Sequence, residues 1–169
     1  MLVAPHPDGT RHLVSVNEPT DENPQGYHRL IGGSVELGET FEQAIIREVD
    51  EELGARIHDL AHLGTVENIF RFNGELGHEI VALYSGTVNP APSDDGGTLT
   101  ESDGVVMPVL WRPFDDSGVD VPLYPAGANA WIRFRSLELT SRPSRAAALR
   151  LDESVGFVRR DTNVLRFTP

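Results

Sequence analysis

The spacing of apolar residues along the chain changes period several times, and each change predicts an element. Met1-Leu2-Val3-Ala4 and Arg11-His12-Leu13-Val14-Ser15-Val16 flank the turn-forming run His6-Pro7-Asp8-Gly9-Thr10, which predicts an opening β-hairpin with a clipped first strand. Glu18 to Gln25 is polar and rich in Pro, Asp and Asn, so a loop follows, then a short strand over Tyr27 to Ile31 that runs into Gly32-Gly33. From Phe41 the period becomes helical. Ile45, Val49 and Leu53 recur at i+4 and are expected to face the core. Thr40 with Gln43 three residues on forms a capping-box pattern, and Gly54 supplies a left-handed stop, which bounds a helix at about 41 to 53.

Beyond the helix, Ile57 to Phe72 and His78 to Val88 carry the β-branched and apolar content of long strands, separated by the hairpin signal Asn73-Gly74. Asn89 to Gly104 holds little that is apolar and predicts a mobile acidic loop before a strand at Val105 to Trp111. Pro125 to Leu139 suggests a second helix with Trp131, Phe134 and Leu137 at core spacing, and Val155 to Phe167 a late strand or hairpin. Strands interleaved with helices indicate a layered α/β domain.

The polar stripe of the first helix holds the chemistry. Glu48, Glu51 and Glu52 stand at i, i+3 and i+4, so their carboxylates crowd one face. Each like-charged pair at that spacing costs about 0.2 to 0.5 kcal/mol on an isolated helix, and no lysine follows to offset it. Converging carboxylate oxygens suit a hard divalent cation, magnesium or manganese, which also grips phosphate oxygens.

The full pattern is Gly33, five residues, Glu39, seven residues, then Arg47-Glu48-Val49-Asp50-Glu51-Glu52-Leu53-Gly54-Ala55. It resembles the signature of the Nudix hydrolases at every position but the last, where Ala55 replaces a larger aliphatic residue. The resemblance implies a Nudix-type α/β/α sandwich around a mixed β-sheet, with residues 1–140 as the hydrolase domain. Residues 141–169 form a C-terminal extension outside the likeness, a strand or hairpin available to a dimer. It also implies metal-dependent hydrolysis of a phosphoanhydride in a nucleoside diphosphate linked to another group, with Mg2+, or alternatively Mn2+, as cofactor. The alternative reading is a Nudix-fold nucleotide sensor that does not cleave its ligand. Glu48 and Glu52 are implied as principal metal ligands and Glu51 as a third ligand or the group orienting water. The Gly32 carbonyl is a weaker ligand candidate against the simpler reading of a turn glycine. Arg47 is placed with Glu51 and Glu52 in the catalytic set and is expected to pair with Glu39, bracing the helix against its preceding loop. Gly33, Glu39 and Gly54 are structural members of the motif.

Outside the motif, Glu101 and Asp103 are candidates for a loop-borne base or extra ligand, set against plain solvated loop charge. Arg29, Arg71, His78 and Glu79 are candidates for substrate binding, against structural or solvated roles.

Composition narrows the partners. The 169 residues fit one domain of common size, and the lack of cysteine excludes disulfides and thiolate metal sites. A formal charge of −12 opposes nucleic acid polymers and anionic membranes while leaving room for a small phosphorylated substrate held through a cation. No signal peptide or long apolar stretch is read, so the expected setting is cytoplasmic, and the family resemblance suggests a homodimer. All fourteen basic residues are Arg, a chain-wide bias to which no function is assigned.

Overall fold

Helix α1 runs from Phe41 to Leu53, and both of its ends are fixed locally. The Thr40 hydroxyl accepts from the Gln43 N–H at 3.2 Å, while the Gln43 side chain accepts from the Thr40 N–H at 2.8 Å. At the other end Gly54 adopts φ 61°, a left-handed conformation in which its N–H reaches back to the Asp50 carbonyl at 2.9 Å. Ala44, Ile45 and Val49 are buried and Leu53 is partly buried against them, so the predicted apolar stripe is the packed face.

The computed structural model describes residues 1–133, together with residues 157–158 and 166–167. Within the first unit, Met1–Arg133, the strands form two sheets, each mixed. One comprises β1 (Leu2–Val3), β4 (Arg56–Phe72) and β5 (Glu75–Asn89) in the order β1-β5-β4. The other comprises β2 (Arg11–Asn17), β3 (Tyr27–Leu30), β6 (Gly97–Thr100), β7 (Val106–Pro113) and β8 (Leu123–Tyr124) in the order β6-β7-β2-β3-β8. Parallel pairing of β1 with β5 and of β3 with β8 makes both sheets mixed; the other pairings are antiparallel. This is the α/β architecture the sequence indicates. Leu2, Leu13, Ile31, Ile45, Val49, Ala82, Tyr84, Leu99, Val109 and Trp111 share one buried core drawn from the helix and both sheets. Ala55, the position where the motif departs from its usual residue, is buried in that core.

Two expectations need correction, and a third, the second helix, is met over the described residues. The opening segment is not a simple hairpin: Pro5 bridges His12 and Leu13 N–H reaches Ala4 O, but Leu2 and Val3 pair with Tyr84 and Ser85 of β5 in the other sheet. Leu2 and Val3 are fully buried, and covering the core rather than extending the turn decides their pairing. The segment 89–104 is not wholly loop, because Gly97–Thr100 forms β6 beside β7, with Leu99 opposite Met107 and buried. A single apolar residue among Gly, Thr and Asp gives little periodicity to read. The second helix opens as a 3-10 turn at Ala126–Ala128 and is helical from 129 to 133; Phe134, Leu137 and the remainder lie outside the described residues.

The long β4–β5 hairpin agrees with the expected strands and turn, and Asn73 and Gly74 both take positive φ. The Glu22 carboxylate accepts from the backbone N–H groups of Asn73 at 2.9 Å and Gly74 at 2.8 Å, clasping the hairpin tip to the loop before β3. In the second unit, Phe134–Pro169, Phe157–Val158 pairs antiparallel with Arg166–Phe167; the sequence suggests the boundary at 140/141, and the rest of the expected late strand lies outside the described residues.

Candidate active site

Arg47 organises the solvent-facing side of α1. Its Nε and Nη2 donate to the two oxygens of Glu39 at 2.9 and 3.0 Å, Nη2 also donates to the Ser34 carbonyl at 3.0 Å, and Nη1 lies 3.0 Å from Glu51 and 3.1 Å from Glu48. One guanidinium therefore ties the helix to the loop that precedes it, as a planar fork can and an ammonium cannot. Glu39 in turn accepts from the Glu36 N–H at 3.0 Å. The hydrogen bonds from Arg47 and then from Glu36 hold the Glu39 carboxyl below the usual carboxylate range.

The three carboxylates of the stripe differ in setting. Glu51 is 57 % exposed and Glu48 12 %. Glu52 is buried, and its Oε2 has no hydrogen-bond partner among the described residues. Burial foremost, and then repulsion from Glu101 and Glu48, pushes Glu52 up to about 7, while Arg29 and the Gly32 N–H pull the other way. The expected convergence of three carboxylates is not found: among the described residues no three His, Asp or Glu side chains gather at ligating distance. Arg47 accounts for this by engaging Glu48 and Glu51, while Glu52 lies buried.

Gly33 makes room for Glu48. A Cβ at Gly33 would overlap Glu48 Oε1 and lie 2.6 Å from its Cδ, so only glycine lets that carboxylate lie against the loop. Gly32, at φ 118°, lines none of the three cavities described below.

Those cavities adjoin one another. The first, about 630 Å³, is walled by Gly33, Ser34, Arg47, Glu48, Glu51, Glu52 and, across from them, Thr100, Glu101 and Ser102. Of the two loop candidates, Glu101 enters the site, at the end of β6, with Oε1 3.9 Å from Arg29 Nη1. Asp103 does not: its carboxylate accepts from the Val105 N–H at 3.0 Å within the turn between β6 and β7. A second cavity of about 300 Å³ lies along Glu48, Ile45 and residues 79–82 of β5. A third, about 390 Å³, is lined by Tyr27, Asn68, Phe70, Arg71, Glu79 and Tyr124 among others. Arg29 lines all three.

Among the substrate candidates, Arg29, Glu79 and Arg71 thus line cavities, and His78 does not. His78 is 55 % exposed and pairs with Glu67 on the neighbouring strand at 2.8 Å. Glu79 Oε1 accepts from Tyr124 OH at 2.6 Å and from Asn68 Nδ2 at 3.0 Å. Burial and then that hydrogen bond to Glu79 raise the Tyr124 phenol, so it stays protonated and donating. Tyr27, Asn68, Phe70 and Tyr124 were not singled out from sequence. Tyr124 comes beside Arg29 through the parallel β3–β8 pairing, which leaves no local mark; Asn68 is buried on a strand of mixed polar and apolar residues, where one more polar residue carries no signal either.

The NUDIX domain model matches residues 3–131, and the chain belongs to that family, the family of the Nudix hydrolases. A crystal structure of a MutT NUDIX hydrolase from Burkholderia pseudomallei superposes with a TM-score of 0.55 at 26 % identity, covering 77 % of this chain and 91 % of that one. A MutT structure from work on Aliivibrio salmonicida and Vibrio cholerae shares the fold at a TM-score of 0.51 and 19 % identity, covering 81 % and 94 %. In sequence, the chain is 50 % identical over 105 residues to a NAD-capped RNA hydrolase NudC of Haemophilus influenzae, 62 % of this chain and 34 % of that protein. It is 47 % identical over 100 residues to the NudC of Salmonella agona, 59 % and 33 % respectively. The chain spans about a third of the length of these two relatives. Among the described residues no helix is long and apolar enough to cross a membrane.

Proposed function

We propose that this protein hydrolyses the diphosphate linkage of a nucleoside diphosphate joined to a second group, with a divalent cation, magnesium or manganese, as cofactor. The observation that carries this reading is Arg29, which borders the carboxylate cavity and the aromatic-lined cavity at once. A diphosphate laid across that side chain would leave its linkage beside Glu48 and Glu52 and its ring among Tyr27, Phe70 and Tyr124. The relatives named for NAD-capped RNA, a substrate with such a linkage, favour the same bond class.

The residues present fit a cation. Glu52 Oε2 is buried without a partner among the described residues, and burial first, then neighbouring negative charge, raises its carboxyl to about 7. Glu48 and Glu52 would hold the ion. Magnesium commonly takes one or two carboxylates plus substrate phosphates rather than a full protein cage, so a site completed by its ligand suits it. When bound, the ion neutralises charge building on the phosphoryl oxygens. The chain supplies the rest: Arg29 grips phosphate, Arg47 fixes helix against loop, and Glu51 or Glu101 orients the attacking water.

The test is release of product from nucleoside triphosphates, sugar nucleotides, dinucleoside polyphosphates and nicotinamide dinucleotide with magnesium and with manganese. Glu52→Gln is expected to lose at least about a thousandfold in kcat. No turnover across that panel by the wild-type protein would return the reading to a nucleotide-binding sensor.

A further inference from the structure

The third cavity has an aromatic wall and a polar edge, and the edge has a definite hydrogen-bonding sense. Phe70 meets Tyr124 edge to face at 5.3 Å between ring centres, and Tyr27 meets Tyr124 at 6.3 Å. None of the three rings is fully buried, so they retain surface for a flat ligand. Between them lie Asn68 and Glu79.

A carboxylate only accepts, so Asn68 must turn its amide nitrogen toward Glu79, which leaves its Oδ1 as an acceptor without a partner among the described residues. Glu79 Oε1 already takes two donors, from Tyr124 and Asn68. Its Oε2 has no hydrogen-bond partner among the described residues. Asn68 is 7 % exposed, and its Oδ1 likewise lacks one. The edge therefore carries two acceptors without partners among the described residues, one of them charged, while Arg29 and Arg71 line the same cavity.

A ring that satisfies this edge must offer paired N–H donors next to a carbonyl. Guanine does so through N1–H and the 2-amino group, with O6 alongside. Adenine and nicotinamide do not, because each sets a single amino group beside an acceptor, the ring N1 of adenine and the carboxamide oxygen of nicotinamide, and that acceptor would face an acceptor. We propose, resting on the reading of the protein as a nucleotide diphosphate hydrolase, that Glu79, Asn68 and Tyr124 select ligands whose aromatic ring carries adjacent N–H donors beside a carbonyl and reject adenine. Stacking on Phe70 and Tyr27 holds any base; the Glu79 edge supplies the choice.

The test is binding of GMP, IMP, AMP and nicotinamide mononucleotide to the full chain in EDTA, where no turnover occurs, followed by the NMR signals of Tyr27, Phe70 and Tyr124. GMP is expected to bind at least tenfold tighter than AMP and nicotinamide mononucleotide. IMP, lacking the 2-amino group, falls between GMP and AMP. In Glu79→Gln the free acceptor becomes an amide donor, and the preference is expected to shrink to within twofold; Tyr124→Phe, which frees Oε1, keeps part of it. Phe70→Ala weakens all four ligands alike. AMP or nicotinamide mononucleotide binding as tightly as GMP to the wild-type protein, or ligands that leave those three rings undisturbed, would overturn the proposal. A selective protein with no hydrolysis under any metal would instead sink the hydrolase reading and leave the ring selectivity standing.

Discussion

Arg47 grips both oxygens of Glu39 across eight residues of chain, Nε to Oε1 at 2.9 Å and Nη2 to Oε2 at 3.0 Å, and with a third bond to the Ser34 carbonyl it pins the loop that carries Gly33. A lysine at this position keeps the charge but cannot make two parallel bonds. Arg47→Lys is therefore expected to lower kcat by about 10- to 100-fold with a melting temperature within a few degrees of wild type. Steady-state kinetics beside thermal unfolding check this, and unchanged kcat would mean that loop placement does not depend on the fork.

Glu52 predicts an unusual pH dependence for the metal-free protein. Its folded value of about 7 stands above the ordinary 4.5, so between those values the native state keeps a proton that the unfolded chain has released. Stability is expected to fall as pH rises through that window, by about 2 to 3 kcal/mol at 1.36 kcal/mol per unit, and to level off above it. Urea unfolding in EDTA from pH 4.5 to 8 measures the slope, and Glu52→Gln is expected to flatten it.

Magnesium is expected to reverse that trend. An ion bound only by the native state adds about 2.7 kcal/mol at a hundredfold excess over its Kd. The melting temperature of the wild-type protein at pH 8 should rise with added magnesium, and the rise should be mostly lost in both Glu48→Gln and Glu52→Gln.

Gly33→Ala places a methyl group into the Glu48 carboxylate. Glu48 must swing away, so turnover is expected to drop by about 100-fold. A matched loss of magnesium-induced stabilisation distinguishes a displaced ligand from general unfolding.

Thr40→Ala removes one half of the capping box and exposes the Gln43 N–H, at a cost of about 1 kcal/mol. Because Thr40 itself lines none of the three cavities, kcat is expected to stay within about threefold of wild type.

The helix, its caps, the β4–β5 hairpin and the Arg47–Glu39 pair were legible in sequence because each is specified by residues a few positions apart. What was not legible depends on pairing between distant segments. Leu2 and Val3 join β5, Tyr124 joins β3, and Leu99 adds β6, and no local period announces any of these. The same holds for the site. Spacing placed three carboxylates on one helix stripe, but only the packed structure separates a buried Glu52 from an Arg-bound Glu51 and brings Glu101, rather than Asp103, across from them.

The clasp of Glu22 on the tip of the β4–β5 hairpin ties the length of that hairpin to the loop that carries Asn23 and leads into Tyr27, both of which line the ring cavity. Inserting or deleting a residue pair near Asn73 would slide the tip out of reach of the carboxylate while leaving the helix that carries the acid groups untouched. Ligand preference in this protein can therefore drift through changes in hairpin length alone, independently of the machinery that breaks the bond.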